Sequence, residues 1–166
     1  MKTKYFRKRK FYRPAFSMIE LMIALAVTAL IVLAVAVAFQ ASVKNYDVND
    51  DIFKAVNKAR QVLTIITPQL RTAQAVDGAA PANECAFISA SGEDITYRYD
   101  IAGQKLYMDK DSNSYLLCDD VTAMTFTKNN DPTGMYVKSV IMSITVSSGS
   151  AEQSFSTAVV IRKNME

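Results

Sequence analysis

The spacing of hydrophobic residues divides the chain into three regimes. From Leu21 to Phe39 the apolar run is continuous, broken only by Thr28. At 1.5 Å per residue it is roughly 28 Å long as a helix, about the thickness of a bilayer's hydrocarbon core. A helix apolar on every face over such a length reads as a membrane segment rather than a buried core helix. No Gly occurs between Phe16 and Arg71, and no Pro before Pro68, so the helix is expected to continue. Past a polar stretch at Asn45 to Asp51, the residues Ile52, Val56, Ala59, Leu63, Ile66, Leu70 and Ala73 recur at alternating spacings of four and three. They share one helical face, with Lys54, Asn57, Arg60 and Gln69 elsewhere. Such a stripe is either a coiled-coil seam or a face laid on a sheet, and the strand-like sequence that follows favours the sheet. Pro68 should bend the helix or loosen its last turns. Helical throughout, 16–74 would be a rod of roughly 88 Å.

After a loop at Asp77 to Asn83 the period becomes two. Ile95, Tyr97, Tyr99 and Ile101 alternate with Thr96, Arg98 and Asp100, a strand pattern that Ala102-Gly103 turns into Leu106 to Met108. Further strands are expected at Cys85 to Ser89, Tyr115 to Leu117, Val121 to Thr127, Val137 to Val146 and Gln153 to Ile161. Turn signals at Ser112–Asn113, Asn129 to Gly134 and Ser147 to Ser150 separate them. The expected fold class is therefore α+β: one long N-terminal helix, membrane-spanning then amphipathic, packed on an antiparallel sheet of about six short strands. The expected divisions are a basic leader (1–15), a hydrophobic helix (16–44), its amphipathic continuation (45–76) and a β-rich domain (84–166).

Charge sharpens this picture. Of the 19 basic side chains, seven lie in residues 1–15 (Lys2, Lys4, Arg7, Lys8, Arg9, Lys10, Arg13), where there is no acid. The remainder is left with 12 bases against all 16 acids. A basic block before an apolar helix can bind nucleic acid, but it also holds an N-terminus in the cytoplasm, so that the rest faces outward. The acidic balance of the remainder gives no support to a polyanion partner. Outside the cytoplasm Cys85 and Cys118 would sit where disulfides persist, and a bridge between them is favoured over two buried thiols.

Chemistry is sparse. The absence of histidine excludes His-based triads, His general bases and His metal ligands. There is no nucleophile elbow, phosphate loop or dinucleotide loop. Asp109, Asp111, Asn113 and Asp120 are spaced as ligands of a calcium loop, but Ser114 stands where Gly makes the turn, and a polar hairpin turn is the better account. Tyr97, Tyr99 and Tyr107 offer either a binding face or core. No enzyme activity, cofactor or metal is expected.

In a secretory signal the small residues of the cleavage site follow the apolar region. Here the small residue, Ala15, precedes it, directly after the basic block. The stretch R-P-A-F-S-M-I-E-L-M-I-A-L, Arg13 to Leu25, resembles the leader junction of type IV prepilins and pseudopilins. Phe16, Ser17, Met18, Ile19 and Glu20 match that junction position by position, and Ala15 stands where Gly is usual. The resemblance implies cleavage between Ala15 and Phe16 by a prepilin peptidase, and N-methylation of Phe16. It implies that Glu20 sets register during filament growth by meeting a neighbour's Phe16 ammonium. Read alone, Glu20 is a carboxylate that costs a few kcal/mol in lipid and so needs a cation or the headgroup region. The I-T-Y-R-Y-D, C-D-D-V-T-A-M-T-F and S-T-A-V-V-I-R-K-N segments loosely resemble the J-type minor pseudopilins of type II secretion and the W-type minor pilins.

The implied function is a minor pilin or pseudopilin that helps initiate or cap a filament. Its partners would be other pilin subunits, the prepilin peptidase, an inner-membrane assembly platform and membrane lipid. It would sit once through the bacterial inner membrane, N-terminus inside. The rivals are a pilin-like binding module for DNA, a surface or cargo, and an uncleaved signal-anchored domain.

Overall fold

A computed structural model of the chain describes residues 16–164. A single helix, α1 (Met18–Arg71), is followed by eight strands and a short 3-10 turn, η1 (Arg162–Asn164). The chain divides between Lys44 and Asn45 into two compact units.

In the first unit every described side chain from Phe16 to Lys44 is exposed. The apolar window of α1 has a mean hydropathy of 2.9 and none of it is buried, so it is no core helix of its own fold. Its length and composition suffice to cross a membrane. Thr28, the one polar residue of the run, turns its hydroxyl onto the helix, within 2.9 Å of the Ala24 and Leu25 carbonyls. Such back-bonding leaves no bare hydroxyl to be desolvated in lipid.

The second unit holds the hydrophobic core. Strands β1 (Ala75–Val76), β2 (Glu84–Ile88), β3 (Asp94–Asp100), β4 (Lys105–Lys110) and β5 (Asn113–Cys118) form an antiparallel sheet in chain order. A second antiparallel sheet has β6 (Val121–Asn130), β7 (Val137–Ser148) and β8 (Ala151–Val160), again in chain order. The expected α+β arrangement of a long helix on an antiparallel β domain holds, and the domain is built of two sheets. The division falls at Asp119–Asp120, where Asp120 takes a positive φ of 55°. There β6 leaves β5 to lie beside the 80–83 loop, with the Phe126 amide donating to the Ala82 carbonyl at 2.7 Å.

Ala55, Ala59, Val62, Ile66 and Leu70 are the buried face of the helix. The last four of these join Cys85, Phe87, Tyr97, Leu106, Phe126, Met142, Ile144 and Ile161 in one core. The expected stripe is rotated slightly: Ala55 and Val62 are buried where Val56 and Leu63 are half-buried. Tyr97 and Tyr99 are core, and each keeps its hydroxyl partnered. Tyr97 donates to Gln69 Oε1 at 2.7 Å, and Tyr99 to the Val121 and Thr122 carbonyls at 3.0 and 2.9 Å. Tyr107 lies on the other face, under the Arg98 guanidinium at 5.2 Å.

Two clips fix where the helix lies on the sheets. Lys58 Nζ reaches Asp119 at 2.6 Å and Asp120 at 2.7 Å, both in the β5–β6 turn. The Asp51 carboxylate accepts the Ser150 amide at 3.0 Å, in the β7–β8 turn. The helix ends at Arg71 rather than running on to 76. Pro68 lies within its last turn, and Ala75–Val76 pairs with Phe87–Ile88 as a strand instead.

Candidate assembly site at the start of the helix

Phe16 precedes α1 and is 77% exposed. Ser17 follows as the N-cap: its carbonyl accepts the first helical bond, from the Leu21 amide at 3.2 Å. Its hydroxyl accepts the Glu20 amide at 3.2 Å, and Glu20 Oε2 accepts the Ser17 amide at 3.1 Å. This reciprocal pair is a capping box, which satisfies two of the amides that a helix start leaves without partners. The S-x-x-E spacing that signals it was present in the sequence, where Glu20 stood out only for its charge.

The consequence for Glu20 is chemical. A carboxylate in the first turn is favoured by the helix dipole as well as by the Ser17 amide. Yet the amide uses only one of its oxygens, and a carboxylate offers about four lone-pair sites. Glu20 therefore keeps acceptor capacity for a cation from outside its own chain. Around it Met18, Ile19, Leu21 and Met22 are all more than half exposed. The result is a single charge in an apolar collar, immediately beside Phe16. Ala15, the other residue of the expected cleavage site, lies outside the described residues.

The second pair of singled-out residues is not brought together. Cys85 lies on β2 and Cys118 on β5, with β3 and β4 between them. Three strand spacings amount to about 14 Å, against a limit of about 7 Å between the Cα atoms of a bridged pair. Both are free thiols and the expected Cys85–Cys118 disulfide is absent. Burial pushes each thiol up to about 11, which makes both core residues and poor nucleophiles.

The loop spaced like a calcium site is a hairpin turn. Asp111 and Ser112, both at positive φ, join Lys110 to its partner Asn113 across β4 and β5. Asp109 is engaged by Arg98 at 3.0 Å and by the Ser114 hydroxyl. Asp120 instead holds Lys58.

Residues 12–36 match the family described as Prokaryotic N-terminal methylation motif, which spans the leader junction, the capping box and most of the apolar run. That match supports membership of the type IV prepilin and pseudopilin family, without distinguishing its subtypes. No curated protein and no solved structure matches the chain.

Proposed function

We propose that the chain is a structural subunit of a type IV pilus or pseudopilus, most like a minor one acting in initiation or at the tip. The observation that carries this is the N-terminal methylation motif placed on a fully exposed apolar helix that begins with a capped Glu20. In this reading a prepilin peptidase removes residues 1–15 and methylates the new Phe16 amine. The apolar part of α1 holds the subunit in the inner membrane, its second unit outside the cytoplasm, until it enters a filament. Glu20, costly in lipid, is stabilised by its own cap before assembly and by a neighbour's Phe16 ammonium after it. The role is structural rather than catalytic.

Gly and Pro are missing from the apolar run. The resemblance links such residues in major pilins to local unwinding of the helix, so their lack here favours a minor subunit. The test is to shear filaments from host cells, or induce a pseudopilus, and probe the assembled fraction for this chain. A chain found there in substoichiometric amount, and lost from it when the peptidase is deleted, supports the proposal. A chain confined to membranes in cells that assemble filaments normally contradicts it.

A further inference from the structure

A groove runs along α1 on the side that faces β8. Its walls are Arg60, Leu63, Thr64, Thr67 and Pro68 of the helix and Phe155 of the strand, around a space of about 500 Å³. Leu63 and Phe155 are half-buried and pack on the core, so the floor is apolar. Thr64 turns its hydroxyl back to the Arg60 carbonyl at 2.8 Å, which leaves its methyl group to the groove. The strand runs beside the helix over its whole length. Ser150, just before β8, donates its amide to Asp51, and Lys163, just beyond it, reaches Gln74 at 3.5 Å.

The charge around this groove has one sign. There is no acid from Ile52 to Val76 on the helix side, and none from Gln153 to Lys163 on the strand side. Glu152 lies on the opposite face of β8 from Phe155, where the Thr122 hydroxyl reaches it at 2.5 Å. Among the described residues neither Arg60 nor Arg71 has an ion pair, whereas Lys54 turns to Asp50 and Lys58 to Asp119 and Asp120. Arg71 stands four residues beyond Thr67 and eleven beyond Arg60, on the same helical face and roughly 16 Å along the axis. Lys163 adds a cation at the Gln74 end. The groove on the other side of α1 differs, because there Glu93 and Lys110 already meet at 2.9 Å.

An apolar floor with an unpaired cation toward each end selects its occupant. Two helices lying side by side share one axial spacing, so the complementary helix carries apolar residues between two acids eleven residues apart. A second copy of this chain cannot supply it. The acids of α1 are Glu20, Asp47, Asp50 and Asp51, and no two of them stand eleven apart. Over the length of the groove a copy would instead set arginine against arginine.

We infer that this groove receives an acidic amphipathic helix of a different subunit, whose carboxylates meet Arg60 and Arg71 while its apolar face covers Leu63 and Phe155. The inference rests on the proposed function, in which a minor subunit meets unlike neighbours outside the cytoplasm. The test uses the full-length chain in its host, with benzoylphenylalanine in place of Thr64, between the two arginines. After irradiation the cross-linked peptide is mapped by mass spectrometry. The expected adduct joins Thr64's position to another chain, at a segment with apolar residues between two acids eleven apart. Arg60→Glu with Arg71→Glu should lower its yield about fivefold or more, while Arg60→Lys with Arg71→Lys preserves it. Both arginines are exposed, so thermal unfolding should be unchanged in either pair. Benzoylphenylalanine at Ser143, exposed on β7, should give no adduct with that segment. An adduct with a second copy or with lipid, a mapped segment lacking those acids, or a yield indifferent to charge reversal would overturn the inference. So would the lack of any adduct from chains shown to begin at methylated Phe16. Chains still beginning at Met1 would instead count against the proposed function on which it rests.

Discussion

The Ser17 hydroxyl and the Glu20 carboxylate each accept the other residue's backbone amide, at 3.2 and 3.1 Å, across the first turn of α1. A residue singled out for charge is thus also a helix cap, and the two roles separate on substitution. Gln at this position keeps a capping box but carries no charge. Glu20→Gln should leave helix content and leader cleavage unchanged, yet reduce recovery in assembled filaments as severely as Glu20→Ala. Assembly of Glu20→Gln at the wild-type level would reduce Glu20 to a cap.

The Asp51–Ser150 clip depends on Gly149. Its φ of +53° is one that side-chain-bearing residues rarely adopt, and a Cβ there would run into the Asp51 carboxylate. Gly149→Ala should destabilise the second unit by about 1–3 kcal/mol. Adding Asp51→Ala should relieve only the collision. Thermal unfolding of the solubilised chain measures both.

Lys58 couples stability to pH. Its hydrogen bond to Asp119 holds that carboxyl below the ordinary 3.8. Stability from a lowered carboxyl is present above the unfolded value and lost as pH falls through the folded one. Lys58→Met should therefore cost about 1 kcal/mol at pH 7, the pair being half in water. The difference from wild type should shrink steadily below about pH 4. A difference that stays constant from pH 7 to pH 2.5 would show that the loss is one of packing.

The two thiols should be silent in the folded chain. Raised to about 11 by burial, each has about one thiolate per thousand molecules at pH 8, and both side chains are buried. Maleimide labelling at pH 8 should give neither adduct until denaturant is added, and then both. Mass spectrometry without reductant should find no Cys85–Cys118 bridge.

Much of this was legible in the residues, for reasons that differ by element. The unbroken apolar run and the alternation of Ile95, Tyr97 and Tyr99 are local patterns, and the long strands follow them closely. The helix stripe holds at Ala59, Ile66, Leu70 and Ala73 and differs at two places, where Ala55 and Val62 are buried in preference to their larger neighbours Val56 and Leu63. Small side chains are what a helix lying close on two sheets can bury. The two-residue strand β1 has no periodicity to detect, and its pairing with Phe87–Ile88 is a tertiary event that also ends the helix early. The division into two sheets turns on one positive φ at Asp120, and Asp tolerates that conformation without announcing it. Two cysteines in a domain expected to lie outside the cytoplasm suggest a bridge by compartment, but strand order decides the distance, and strand order is not written locally. At the candidate site the motif was plain, and only the use of Ser17 to hold Glu20 was missed.

The central claim is that this chain enters the pilin pathway. The most direct measurement is the intact mass and N-terminal sequence of the protein extracted from membranes of its own host. The account predicts a chain beginning at N-methylated Phe16, with residues 1–15 removed. A chain still beginning at Met1, in cells whose prepilin peptidase is shown to be active, would contradict it.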